Sequence, residues 1–324
     1  MDNKKLLKKI SKLSEKYSAT GQDLYSYLDG LLYSDYVGYW NYINLETLLS
    51  LQRPKTDFPD EKIFIIYHQI SELYFKLCLI ELEQINKNGK KILETGEDKG
   101  WEKNLKVDLF IEKMERINRF MKILIDSFDI MIKGMNKDQF LKFRMALLPS
   151  SGFQSVQFRM MEIRSSNLSQ LNISAVKDKN IKTVYEKIYW KNGANELKTG
   201  DKTYTLKQFE KKYDERLLKL ANKMTDKNIW AKYTSLNKRD QKNKKLIQLL
   251  KQYDINININ WKLAHYKSAI KHLKKHPKTI TATGGTNWEK YLPPRFQKII
   301  FFPKLWTTEE RKNWGKSWVD SNIN

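Results

Sequence analysis

Apolar residues recur at helical spacing along almost the whole of this chain, and no long segment shows the alternation of a half-buried strand. Glycine and proline, the two residues that interrupt helices, number only 13 and 7 among 324 residues. Together these features point to an all-α fold. The spacing predicts helices over 4–17 and 21–32, and a long one through about Asn86 capped by Asp57 or Asp60. Further helices are expected near 101–134, 137–147, 153–167, 205–224, 240–252 and 257–275. The polar stretch KNGANELKTGDKTY (191–204) reads as a hairpin or mobile loop, and ATGGTNW (282–288) as a second break. There is no internal repeat and no obvious linker. The expected organisation is one helical-bundle domain, 38–324, with an N-terminal helical extension, 1–37.

Composition narrows the classes further. With 40% hydrophobic and 30% charged residues, the chain suits a folded globular protein rather than a disordered one. No run approaches the roughly 18 apolar residues of a membrane span. The opening MDNKKLLKKISKLSEKY is charged throughout, unlike a secretory signal, and reads as a basic amphipathic helix. No membrane partner and a cytoplasmic location are therefore expected. Cys78 is the single cysteine, which excludes an internal disulfide and any multi-cysteine metal site. The net charge of +23 invites a nucleic-acid reading. The excess is almost all lysine, however, spread along the chain without clustered arginine and aromatics. Weak polyanion binding at low salt is expected, without a specific nucleic-acid partner.

Four stretches carry candidate chemistry. In FIIYHQISELYFK, helical spacing puts Phe64, His68, Ser71, Glu72 and Phe75 on a shared side. A polar stripe among Phe, Ile and Leu must be paired or face a cavity. His68 reads as a core histidine bonded to Glu72, a metal ligand, or a group held against a substrate. In WKLAHYKSAIKHLKKHP, His265 and His272 lie about 10 Å apart along the axis, too far to share one ion. His272 and His276 form an i,i+4 pair, but among lysines they are expected to be solvated. His265, near Trp261, Leu263 and Ala264, has the more apolar setting. A single axial histidine in such a pocket is what a haem iron uses, and a plain core histidine is the alternative.

In FLKFRMALLPSSGFQSVQFR, Phe140 and Arg144 are one turn apart, and PSSGF then interrupts the helix, offering Ser151 and free backbone N–H groups. An aromatic amino acid suits that pair, with Arg144 forked onto the carboxylate and Phe140 packed on the ring. A surface arginine over a buried phenylalanine is the bland alternative. In TATGG the glycines permit close backbone approach to a ligand, and Thr283 adds a hydroxyl.

These blocks, in this order, resemble the tryptophan 2,3-dioxygenase family of haem-dependent, all-α enzymes. The likeness rests on YWNYINLETLLSLQ (39–52), DEKIFIIYHQISELYFK (60–76), FRMALLPSSGFQSVQFR (143–159), WKLAHYK (261–267) and ATGG (282–285). It implies haem b with His265 as the iron's axial ligand, and His68 as the distal histidine that accepts the indole N–H. It further implies Phe64 and Phe140 as walls of the indole pocket, Arg144 on the substrate carboxylate, and Thr283 on the ammonium and carboxylate end. Ser151 resembles a serine at the haem pocket. Tyr39 and Tyr42 resemble tyrosines given to a neighbouring subunit's site within a homotetramer. The implied reaction adds dioxygen across C2–C3 of L-tryptophan to give N-formyl-L-kynurenine. Two departures stand out: Tyr74 where the family usually has tryptophan, and a longer stretch between His265 and Thr283. Two rival readings are a same-fold haem oxygenase of another indole or aromatic amino acid, and a basic helical nucleic-acid-binding module with a decayed haem site.

Overall fold

The computed structural model describes residues 3–173, 180–192, 194–196, 200–275, 278–279 and 298–315. Contacts divide the chain into two compact units, Met1–Arg53 and Pro54–Asn324. The first holds α1 (Asn3–Ala19), α2 (Leu24–Tyr33), α3 (Tyr39–Tyr42) and α4 (Leu45–Leu49). Asp23 caps α2 by accepting the N–H groups of Tyr25 and Ser26. Tyr17 of α1 stacks on Tyr27 of α2 at 4.6 Å. Many large apolar side chains of this unit are exposed, among them Leu7, Leu31, Leu32, Trp40 and Leu49.

The second unit opens with α5 (Pro59–Asn86), a hairpin of β1 (Lys90–Ile92) and β2 (Asp98–Trp101), then α6 (Val107–Asp126), α7 (Asp129–Ile132), α8 (Lys137–Phe143) and α9 (Val156–Ser165). It continues through α10 (Ile181–Glu186), α11 (Tyr189–Asn192), α12 (Tyr204–Met224), α13 (Ile229–Ser235), α14 (Lys238–Gln241), α15 (Lys244–Ile255) and α16 (Trp261–Leu273). A two-residue pair, β3 (Lys274–Lys275) with β4 (Lys278–Thr279), and α17 (Thr308–Lys312) complete the described elements. The fold is all-α, as the periodicity predicts. In the 191–204 stretch Asn195 pairs antiparallel with Lys202, the hairpin expected there.

Three boundaries differ from the sequence reading. Neither Asp57 nor Asp60 caps α5. Phe58 precedes Pro59, whose fixed φ and missing N–H suit the first helical position. The expected 101–134 helix is broken, because β2 takes its start and the chain turns at Ser127–Phe128 between α6 and α7. The expected gap between the last two long helices is filled: a π-helical turn, Asn256–Asn260, joins α15 to α16 without interruption. Asparagine side chains accompany this widened turn. Asn258 donates to Asp254 at 2.8 Å, and Asn256 donates to Asn118 of α6 at 3.1 Å.

The core forms where helical stripes meet. On α6 the buried residues are Phe110, Met114, Ile117, Met121 and Leu124. They pack against Phe75, Cys78, Leu82 and Ile85 of α5. Helix α5 is long and apolar enough to match a membrane span by length and hydropathy, although no apolar run in the sequence suggests one. Here it is a core helix with Glu61 and Glu81 among its buried residues. A second stripe on α5 stays exposed: Ile66, Ile70, Leu73, Leu77 and Ile80, at alternating four- and three-residue steps.

The start of α5 is fixed by carboxylates rather than a cap. Glu61 accepts the backbone N–H groups of Lys55 and Thr56, each at 2.7 Å. Asp60 accepts the N–H of Asn136, and its own N–H donates to the Gln139 side chain at 3.3 Å. The first turn of α5 is thereby tied to the first turn of α8. Phe64 and Phe140 each lie four residues beyond a member of that tie, so both project one turn on from the same junction.

Candidate functional site

The Phe64 and Phe140 rings stand 6.3 Å apart, and Phe143 meets Phe64 edge-on at 5.9 Å. His68, one turn after Phe64, lies 4.1 Å from that ring. Its Nδ1 is 2.7 Å from the Phe64 carbonyl oxygen. A carbonyl only accepts, so Nδ1 carries the proton and Nε2 keeps its lone pair. His68 is solvent-accessible, yet burial is the main cause of its lowered pKa.

Among the described residues, the His68–Glu72 bond, one of the alternatives for His68, does not form. Glu72 accepts Gln157 Nε2 of α9 at 2.8 Å, a partner distant in sequence. Its charge only partly offsets the burial that pushes His68 down.

His265 has the same construction on α16. Its Nδ1 is 3.2 Å from the Trp261 carbonyl oxygen, one turn back, which again leaves Nε2 as the bare lone pair. Trp261 and Phe128 pack edge-on against the ring at 4.5 and 4.6 Å. Burial pushes its pKa down to about 4, and positive charge at His68 and Arg159 adds to the shift. An aromatic path joins the two imidazoles: Tyr67, adjacent to His68, meets Phe128 at 5.4 Å, and Phe128 meets His265.

The space in front of His265 Nε2 is bounded by Gly152. A Cβ at that glycine would stand 4.0 Å from Nε2, with no other non-neighbouring atom closer. The glycine therefore keeps a side chain away from the lone pair. Ser151 is half-buried beside it, but its N–H is not free as the sequence suggests; it donates to the Gln154 side chain at 3.0 Å. That side chain in turn donates to the Thr205 carbonyl at 3.2 Å, bracing the loop on α12.

Arg144 begins the 3-10 turn after α8 and is buried, and burial lowers its pKa. A guanidinium stripped of water favours an anion with which to share charge. Tyr39 and Tyr42 lie in the first unit and are exposed. Thr283 and His276 fall outside the described residues.

His272 corrects the sequence reading. Expected in solvent among lysines, it is only 2% exposed. Its Nε2 lies 2.6 Å from the Met131 carbonyl oxygen, and its ring lies 4.9 Å from Phe140. Phe128, Gly152 and Asp60 also escaped the sequence reading, since nothing local marks a core phenylalanine, a loop glycine or a first-turn aspartate as part of a site.

A neutral imidazole with a bare Nε2, a fixed Nδ1–H and apolar flanks suits an axial haem ligand. The donor set at His265 meets each requirement, and Gly152 places no side chain beside its Nε2.

A family model described as tryptophan 2,3-dioxygenase matches residues 29–284. Among curated relatives, the tryptophan 2,3-dioxygenase of Ruegeria sp. (strain TM1040) is 35% identical over 130 residues, 40% of this chain and 42% of that protein. The Xenopus tropicalis tryptophan 2,3-dioxygenase is 35% identical over 133 residues, 41% of this chain and 30% of the relative. The Mus musculus tryptophan 2,3-dioxygenase is 35% identical over 140 residues, 42% of this chain and 32% of the relative. The matched stretch thus spans less than half the length of each of these relatives.

Proposed function

Because this chain belongs to the tryptophan 2,3-dioxygenase family, we propose that it is a haem-dependent dioxygenase that opens the C2–C3 bond of the L-tryptophan indole to give N-formyl-L-kynurenine. The observation that carries this reading is the pairing of His68 with His265. Both are imidazoles with Nδ1 tied to the carbonyl one turn back, and the rings of Tyr67 and Phe128 link one to the other.

His265 would hold the iron of haem b through Nε2, with Ser151 and Gly152 at the edge of its pocket. When bound, ferrous haem supplies the activation of dioxygen. The chain's own residues do the rest. His68 Nε2 accepts the indole N–H, which fixes the ring's orientation. Phe64 and Phe140 hold the ring by packing and exclude water from it. Arg144 pairs with the substrate carboxylate in a dry setting, and Thr283 takes the ammonium and carboxylate end. Excluding water from the bound ring strengthens each of these polar contacts.

Tyr39 and Tyr42 complete the site of a neighbouring subunit in a homotetramer. The exposed apolar residues of the first unit and the exposed stripe of α5 support such assembly, since contiguous apolar surface marks interaction sites. In this reading residues 38–324 form the haem-binding part, residues 1–37 its extension, and the enzyme works in the cytoplasm.

The test is direct. Reduced, haem-loaded protein given L-tryptophan and oxygen should form N-formylkynurenine. Haem-loaded protein that leaves tryptophan untouched would point instead to a related oxygenase of another aromatic substrate. Protein that takes up no haem would overturn both.

A further inference from the structure

His272 carries a cost that a leucine in its place would avoid. Its Nε2–H donates to the Met131 carbonyl at 2.6 Å, while its Nδ1 is buried without a hydrogen-bond partner among the described residues. Burying an unsatisfied nitrogen is unfavourable, and such groups are rare in folded proteins. The imidazole must therefore do something an aliphatic side chain would not. Its hydrogen bond reaches a carbonyl in the last turn of α7, where the helix offers no N–H of its own. Its flat face lies 4.9 Å from Phe140 of α8, at 49°. One ring thus joins α16, α7 and α8.

We propose that His272 is a positioning residue: by tethering α16 to α7 it holds Phe140 against Phe64, and so sets how tightly the site grips an aromatic substrate. This rests on the reading of Phe64 and Phe140 as the walls of the indole pocket. Only the neutral ring can serve, because Nδ1 faces no acceptor. Burial, with Lys271 on its own helix and Lys137 on α8, holds its pKa below the ordinary 6.5. On α7, Asp129 and Lys133 pair with each other in solvent at 2.6 Å. The sign follows from linkage. A depressed pKa means the folded wall is intact above pH 6.5 and loosens as pH falls through the folded-state value.

The experiment compares haem-loaded wild type, His272→Phe and His272→Gln. Michaelis parameters for L-tryptophan are measured from pH 8 to 5.5, with amide hydrogen exchange over residues 137–144. His272→Phe keeps the stacking and loses the tether. It should raise KM about three- to tenfold, the size of one lost hydrogen bond, with kcat changed less. His272→Gln retains a donor and should recover much of KM at pH 8. Both variants should lack the acid-promoted loss of α8 protection expected of wild type, and at pH 8 α8 should exchange faster in His272→Phe. Wild-type KM and exchange in His272→Phe would overturn the proposal, as would an acid-promoted loss of α8 protection that persists in both variants. If wild type holds haem but ignores tryptophan, the substrate reading fails, and α8 exchange alone decides: faster exchange retains the tether, unchanged exchange refutes it.

Discussion

His68 on α5 and His265 on α16 each turn a proton-free Nε2 away from its own backbone, and the rings of Tyr67 and Phe128 link their surroundings. In the function proposed above, the two histidines, built alike, take different parts: His265 would ligate the haem and His68 would receive the substrate.

That division predicts different fates for two variants. His265→Ala should abolish normal ligation of bound haem, while His68→Ala should retain it and bind tryptophan poorly. The absorption spectrum of reduced protein, with and without carbon monoxide, reads the first effect, and a tryptophan titration reads the second. Equal haem loss in both variants would refute the assignment of sides.

The lowered pKa of His265 predicts an acid-sensitive apo-protein. Folded His265 titrates at about 4 and an unfolded histidine at 6.5. The unfolded chain therefore binds more protons between those values, and stability falls as pH drops from 6.5 toward 4. The loss from this residue is on the order of 3 kcal/mol. Urea midpoints of apo-protein between pH 7 and 4.5 should show the slope, and His265→Leu should flatten it.

Gly152→Ala places a methyl 4.0 Å from His265 Nε2. The folded apo-protein should tolerate it, because that distance is ordinary van der Waals contact. Haem uptake should weaken, and Gly152→Val should weaken it further. Haem titration followed by visible absorption, beside unchanged thermal unfolding of the apo-protein, checks the claim.

Asp60→Ala removes the carboxylate that accepts the Asn136 N–H. A stranded donor and a lost charge-assisted bond should cost about 1–3 kcal/mol of stability. Because the tie sets the Phe64–Phe140 spacing, KM for tryptophan should rise as well. Chemical unfolding measures the first effect and steady-state kinetics the second; a stability loss with unchanged KM would separate the tie from the pocket.

Arg144→Met should remove the preference for an amino acid over free indole. Losing one partner of a desolvated charge pair costs about 2–5 kcal/mol. Tryptophan binding should fall accordingly, while free indole binds as before. Paired titrations of the two ligands make the comparison.

Much of this was legible in the chain itself. Apolar spacing determined the helices, since an amphipathic stripe has one economical way to hide from water, and the blocks around His68, Arg144 and His265 marked the residues to which the proposal assigns chemistry. Helix ends were less legible: Pro59 and the π-helical turn at Asn256–Asn260 depend on what lies across from them. The state of each site residue was beyond reach. Glu72 meets Gln157, His272 meets Met131 and Phe140, and Asp60 meets Asn136, each partner distant in sequence. Only packing brings such pairs together, and only packing removes the water that would hold His265 near its ordinary pKa. Sequence therefore determined which groups are present and which helices carry them. Tertiary structure decided which are dry, which are satisfied and which lone pairs remain, because desolvation and long-range hydrogen bonds belong to the packed assembly and to no single segment.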